Sequence, residues 1–185
     1  MERLRVLALG GSLRAASTNR MLLGAVRRLA PASMEISLYE GLGRLPLFNP
    51  DIELTAGLPP IVLAFMAEVR ASDGLLVACP EYAHGMPGAF KNLLDWLVGM
   101  PDFPGKPVAL LNAAPRATVA QAAVAEVLST MSARIVPAAC AAVPVLGGSL
   151  DEAGLAADPW TATTLLAALE AFAGAMADAR REARA

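Results

Sequence analysis

The stretch Leu4-Arg5-Val6-Leu7-Ala8-Leu9-Gly10-Gly11-Ser12-Leu13-Arg14-Ala15-Ala16-Ser17-Thr18-Asn19 decides the fold class. Its first half is a short apolar run that stops at two glycines, the pattern of a strand buried on both faces. Its second half is rich in hydroxyl and amide side chains. It leads into Leu22, Val26 and Leu29, which recur at helical spacing until Pro31 closes the helix. A buried strand that turns directly into an amphipathic helix is half of a βαβ unit.

The rest of the chain repeats that unit. MEISLY at 34–39 alternates apolar and polar residues as a second strand would. Residues 40–58 hold Gly41, Gly43, Pro46, Asn49, Pro50 and Gly57, which predict a long loop. Pro59 or Pro60 then opens a helix with Ile61, Phe65 and Val69 on one face. DGLLVAC at 73–79 is a third strand, stopped by Pro80. After it, Phe90, Leu93, Leu94 and Leu97 fall at i, i+3, i+4 and i+7, with Pro87 at the first helical position. KPVALLN at 106–112 is a fourth strand, and an alanine-rich helix is expected over 118–133. A fifth strand falls within 135–146, where prolines leave its register open. Asp158 and Pro159 make an N-cap and first-turn pair for a last helix carrying Leu165, Leu169, Phe172 and Met176. Its arginine-rich end suits the negative pole of the helix dipole. The alternation implies an α/β domain with a doubly wound parallel sheet and helices on both faces. With no linker or repeat in sight, residues 1–185 read as a single domain.

Composition narrows the function. A hydrophobic share of 56% against 17% charged residues excludes a disordered chain. The net charge of −2 gives no basic stripe for a nucleic-acid backbone. The longest charge-free stretch, 135–150, is interrupted by Pro137 and Pro144 and is too short to span a bilayer, so no membrane association is expected. Cys79 and Cys140 lie far apart in apolar runs with no signal peptide ahead of them, and read as buried, reduced thiols in a cytoplasmic protein. One histidine and two distant cysteines do not make a transition-metal site, and no Gly-x-Ser-x-Gly elbow is present. An enzyme built this way takes its reactive group from a cofactor.

Two loops are chemically equipped to hold one, and both follow strands, where open α/β sheets bind ligands. The loop at 10–19 combines a glycine turn, a helix start, the side chains of Ser12, Ser17, Thr18 and Asn19, and the cation Arg14. That set suits a terminal phosphate, against the plainer reading of a capped strand-to-helix turn. It is neither a P-loop nor Gly-x-Gly-x-x-Gly. The loop Pro80-Glu81-Tyr82-Ala83-His84-Gly85-Met86-Pro87-Gly88 offers backbone amides and an aromatic ring, the wall a flat heteroaromatic needs. Taken singly, Tyr82 and His84 also fit ordinary solvated loop positions.

Together these residues resemble the NADPH-dependent FMN reductase family of flavodoxin-like flavoproteins, which includes quinone, chromate and azo-dye reductases. GSLRAASTN looks like the family's Gly-Ser-x-Arg-x-x-Ser-x-Asn phosphate loop, and LPLFNPDIE is similar to its segment after the second strand. PEYAHGMPGAFKNLLDWL resembles its Pro-Glu-Tyr…Pro-Gly…Lys-Asn…Asp-Trp signature. The likeness covers residues 3–113. It implies a three-layer flavodoxin-like sandwich with a five-stranded parallel sheet of order 2-1-3-4-5. It implies FMN as cofactor, NADPH or NADH as electron donor, and a small acceptor such as a flavin, quinone, chromate or azo compound. A flavodoxin-type electron carrier is the alternative activity. The FMN phosphate would be held by Ser12, Leu13, Arg14, Ser17, Thr18 and Asn19, and the ring lined by Pro80, Glu81, Tyr82, Ala83, His84 and Gly85. Asn112 would reach the pyrimidine edge. Tyr82 and His84 would shape the acceptor pocket, with no side chain required as a strong acid or base. Lys91, Asn92, Asp95 and Trp96 match the signature as structural residues, with Trp96 at a subunit contact of a homodimer or homotetramer. Two departures stand out. Ala83 and Gly85 replace the Asn and Ser common in relatives, and Asn112-Ala113-Ala114-Pro115-Arg116 replaces a Ser/Gly-rich loop.

Overall fold

The computed structural model describes residues 3–55, 57–145 and 151–183. In chain order its first elements are β1 (Leu4–Gly10), α1 (Thr18–Leu29), β2 (Met34–Leu38), α2 (Pro50–Thr55), α3 (Pro60–Ala71) and β3 (Gly74–Ala78). There follow α4 (Gly88–Leu97), β4 (Pro107–Asn112), α5 (Thr118–Thr130), β5 (Arg134–Ile135), β6 (Ala141–Ala142), α6 (Glu152–Ala157) and α7 (Pro159–Glu182). The strands pair in parallel in the order β2-β1-β3-β4-β5, with β6 also against β4. This is the flavodoxin-like sheet that the resemblance implies.

The period-two alternation of each strand divides the core into two layers. Leu7, Leu9, Leu75, Val77, Val108 and Leu110 face Phe65 of α3, Phe90 and Trp96 of α4, and Leu128 of α5. Val6, Ala8, Leu76, Ala78, Ala109 and Leu111 face Leu22 of α1 and Leu165, Leu169 and Phe172 of α7. Both faces are covered, which is why β1, β3 and β4 are largely apolar, whereas the edge strand β2 alternates with exposed Glu35 and Ser37. Gly74 starts β3 because a Cβ there would lie 2.7 Å from Phe172 Cζ and 2.8 Å from Met176 Sδ. Helix α7 is long and apolar enough to cross a membrane by length and composition. Its buried residues Leu165, Leu169, Phe172 and Met176 nevertheless lie in the sheet-side core, so it serves as a core helix. Asp158 Oδ1 accepts from Thr161 N at 2.8 Å, the expected cap.

Several expectations are corrected. The loop anticipated over 40–58 contains a 3-10 turn at Leu42–Arg44 and helix α2. The N-terminal signal of α2 was present, since Asn49 Oδ1 accepts from Asp51 N at 3.0 Å. The fifth strand is two fragments, β5 and β6, separated by a 3-10 turn at Pro137–Ala139. Pro137 cannot donate to the ladder and fixes the backbone out of strand geometry. The end of the anticipated 135–146 segment lies outside the described residues. Pro87 stands at the N-cap of α4, one place before the first helical residue. Cys140 is half-buried rather than buried, with Leu110 N donating to its Sγ at 3.3 Å.

Chain order positions the site. From β1 the chain moves outward to β2 and then returns past β1 to β3. The loop after β1 leads to α1 on one face, whereas the loop after β3 leads to α4 on the other. A crevice therefore opens at the carboxyl ends of β1 and β3, the switch point of a doubly wound sheet.

Candidate active site

The loop after β1 leaves the sheet tightly apposed to β3. Gly11 N donates to Ala78 O at 2.9 Å, and a Cβ on Gly11 would lie 2.9 Å from Cys79 Sγ and 3.1 Å from Cys79 Cα. Only glycine fits this approach. The loop then runs to α1, where buried Ser17 is the N-cap and its Oγ accepts from Arg20 N at 3.3 Å. The first turn of α1 carries no acidic residue, so the positive pole of the helix is not neutralised locally. Thr18 is half-buried in that turn. Asn19 is buried, and its Oδ1 has no hydrogen-bond partner among the described residues. Arg14 is exposed, and its guanidinium has no partner among the described residues.

The loop after β3 folds into a two-residue hairpin. Tyr82 N donates to Gly85 O at 2.9 Å and Gly85 N to Tyr82 O at 3.0 Å. Ala83 and His84 between them have φ of 49° and 58°. Two consecutive left-handed residues are the type I′ pattern that favours Asn and Gly, so an alanine and a histidine there are strained. Tyr82 is consequently presented outward, 47% exposed, with its hydroxyl 3.1 Å from Ser12 Oγ. Ser12 Oγ also accepts from Arg14 N at 3.2 Å. The two loops named from sequence thus meet at one edge of the sheet. Between them lies a cleft of about 350 Å³ lined by Gly11, Leu13, Arg14, Tyr82, Pro87 and Ala89.

Not every anticipated residue faces that cleft. Asn112 is buried and spent on its own loop: Oδ1 accepts from Ala114 N at 2.8 Å, and Nδ2 donates to Ala117 O at 3.2 Å. Its side chain holds residues 113–117 in shape rather than reaching outward. That loop borders a second groove of about 390 Å³ with Ala113, Ala114, Pro115, Arg116, Pro144 and Val145 as its walls. His84 is almost fully exposed and its Nδ1 lies 3.2 Å from Glu81 Oε1. The cleft lining also includes Gly11, Pro87 and Ala89, which sequence reasoning did not name as site residues. The signal for Gly11 was the glycine turn after β1, and for Pro87 and Ala89 the Pro-Gly step that ends the loop after β3.

The residues read as structural behave so. Asn92 Oδ1 accepts from Phe48 N at 2.7 Å, while Asn92 Nδ2 and Trp96 Nε1 both donate to Pro46 O, at 2.9 and 2.8 Å. Lys91 pairs with Asp95 at 2.5 Å along α4. Trp96 is 1% exposed and lies edge-on to Phe48, with ring centroids 5.1 Å apart. It belongs to the interior of this chain, which overturns its placement at a subunit contact. Cys79 is buried below the cleft and desolvation pushes its thiol up to about 12, so it supplies no nucleophile.

Residues 4–145 match the family of NADPH-dependent FMN reductases. A quinone reductase of Escherichia coli strain K12 is 40% identical over 109 residues, covering 58% of this chain and 58% of that protein. The NAD(P)H-dependent FMN reductase PA1204 of Pseudomonas aeruginosa is 42% identical over 112 residues, 60% of each chain. The matched stretch is therefore less than two thirds of either relative's length. Among solved structures, the flavoenzyme NAD(P)H:(acceptor) oxidoreductase FerB from Paracoccus denitrificans superimposes with a TM-score of 0.81 at 29% identity, covering 95% of this chain and 98% of that one. A flavodoxin from Pseudomonas aeruginosa shares the fold at a TM-score of 0.54 and 19% identity.

Proposed function

The chain belongs to the NADPH-dependent FMN reductase family, and on that premise we propose that its carboxyl-edge cleft holds FMN and that the protein is an NAD(P)H oxidoreductase reducing small acceptors. One observation carries the reading. The Ser12–Tyr82 contact brings a phosphate-type loop and an aromatic loop to the same cleft, as one mononucleotide requires.

The residues present fit the group. A phosphate needs donors and a cation: the loop after β1 offers the Arg14 guanidinium, unpaired among the described residues, the Ser12 and Thr18 hydroxyls and the first-turn amides of α1 that Ser17 does not cap. The orphaned Asn19 Oδ1 is a buried acceptor that suits a hydroxyl donor such as a ribityl group. Gly11 keeps the floor of the cleft free of side chain. Tyr82, Pro87 and Ala89 give apolar walls for a flat ring.

FMN, when bound, supplies a two-electron centre that takes a hydride from a nicotinamide and passes the electrons to a small acceptor. The chain's own part is to bind, orient and shield. Arg14 and the α1 terminus offset phosphate charge, the Tyr82–Gly85 hairpin sets the edge of the ring site, and Leu13 covers its flank. His84 stands in the hairpin with its imidazole in solvent, and on this reading it meets the incoming acceptor. No acid or base of shifted pKa is required at the ring.

The same proposal takes residues 1–185 as one domain, in the cytoplasm, acting as a homodimer or homotetramer on a small-molecule acceptor. Exposed Leu47, Phe48, Leu63 and Val98 supply apolar surface for self-association. The activity is tested by loading the protein with FMN and following NADH or NADPH oxidation with a benzoquinone. Quinone-dependent oxidation by a ping-pong rate law is expected. FMN-loaded protein that oxidises neither nucleotide would place it among passive carriers.

A further inference from the structure

Helix α5 begins without a cap of its own. Its N-cap position is Ala117, no side chain accepts there from the same segment, and no acidic residue stands in the first turn. The first amides of a helix need acceptors, and one of these, Ala120 N, finds its acceptor 39 residues away: it donates to Glu81 Oε2 at 3.0 Å. Glu81 is part of the aromatic loop after β3. Its other carboxylate oxygen, Oε1, lies 3.2 Å from His84 Nδ1 within that loop. The side chain of Glu81 is 15% exposed whereas that of His84 is 85% exposed. The carboxylate is therefore turned inward, between the hairpin and the helix.

We infer that Glu81 is a positioning residue that fastens the Tyr82–Gly85 hairpin to the N-terminus of α5, so that the ring-side loops after β3 and β4 move as one body. Three side chains define that body. Tyr82 ties the hairpin to Ser12 on one side, Glu81 ties it to α5 on the other, and Asn112 clamps the segment between β4 and α5 through Ala114 N and Ala117 O. The hairpin needs fastening because Ala83 and His84 are both left-handed, a conformation that persists only where surroundings enforce it. A carboxylate at a helix N-terminus is also the favourable charge for that pole, so both ends of the tether gain from the same group. Glu81 acts through the loop and α5; its carboxylate oxygens are already engaged and are not ligands of the cofactor. The inference rests on the FMN reading for its functional consequence but not for the tether itself.

The test compares Glu81→Ala with Glu81→Gln in the full chain, since glutamine keeps an oxygen that can accept from Ala120 N. Hydrogen exchange on the FMN-free proteins reads the tether directly. Faster exchange at the first-turn amides of α5 and at Gly85 is expected in E81A, and near wild-type exchange in E81Q. FMN titration reads the consequence: the dissociation constant should rise about tenfold in E81A, as for loss of one contact that preorganises the site, and the glutamine variant should recover most of that loss. The visible circular dichroism of bound FMN should change in E81A and return in E81Q. Unaltered exchange in E81A overturns the tether. Altered exchange with unaltered FMN affinity and dichroism overturns the positioning role. Wild-type protein that takes up no FMN overturns the functional reading instead, and exchange alone then decides whether the tether exists. If E81A does not fold, E81Q decides: wild-type exchange and affinity in that variant support the amide-acceptor role, and faster exchange with weakened FMN binding counts against it.

Discussion

The hydroxyl of Tyr82 lies 3.1 Å from Oγ of Ser12, across 70 residues of sequence. This one contact joins the two loops whose residue types were legible separately. Tyr82→Phe removes the bond and little else, because the ring is half-exposed and stays in place. FMN should bind about two- to tenfold more weakly, as for one neutral hydrogen bond that preorganises a site. Thermal stability should hardly move. Titration of FMN fluorescence checks it, and equal affinities would show that the two loops are placed independently.

Arg14 is exposed and without a partner among the described residues, so its removal leaves no buried charge behind. Arg14→Ala is expected to weaken FMN about 10- to 100-fold through loss of charge-assisted contacts, with the urea midpoint unchanged. Riboflavin, which lacks the phosphate, should bind wild type and variant alike. Parallel loss of riboflavin would mean that Arg14 touches the ring side of the ligand instead.

Ala83 sits at φ 49° in the hairpin. A non-glycine residue there costs about 1–2 kcal/mol relative to ordinary backbone, and Asn pays less of it by bonding locally. Ala83→Asn should therefore raise stability by roughly 0.5–1 kcal/mol in urea melts. A destabilised A83N would indicate that the side chain at 83, not the backbone, sets the cost.

Alkaline stability follows from Cys79. Its thiol, ordinarily near 9.0, is pushed to about 12 by burial. The unfolded chain then loses this proton near pH 9 while the folded chain keeps it, so stability falls as pH climbs through that window. Tyr39, raised from 10.0 to about 12 chiefly by burial, adds to the decline above pH 10. Cys79→Ala should flatten the loss between pH 9 and 10 in denaturant melts, and native protein at pH 8 should leave this thiol unlabelled by iodoacetamide. Rapid labelling of Cys79 in folded protein would contradict the burial argument.

The sequence disclosed the sheet because β1, β3 and β4 are buried on both faces and read as apolar runs between Gly, Pro and Asp, while the edge strand β2 shows a period-two alternation. Where that condition fails, legibility fails. Ala141 and Ala142 of β6 carry too little side chain to signal a strand, and Pro137 divides the segment. Helices α2 and α6 are six residues each, too short for a 3.6-residue period to emerge. In the site, the kinds of residue were visible but their allegiances were not. Asn112 is a capable cofactor ligand on paper, yet both ends of its amide close its own loop. Glu81 was named among the residues lining the ring, whereas its carboxylate reaches Ala120. Trp96 fitted a surface role until Pro46 appeared as the acceptor of its indole N–H. Each such pairing depends on side-chain direction between residues 2 to 50 positions apart, which hydrophobic pattern does not encode.

On the proposed function, the cleft between Gly11, Arg14 and Tyr82 is a flavin mononucleotide site. Titration of flavin-free protein with FMN, read by visible circular dichroism, tests it most directly. A new signal is expected that saturates at one FMN per chain and is much weaker with riboflavin. No signal at any FMN concentration, with the protein folded, would contradict it.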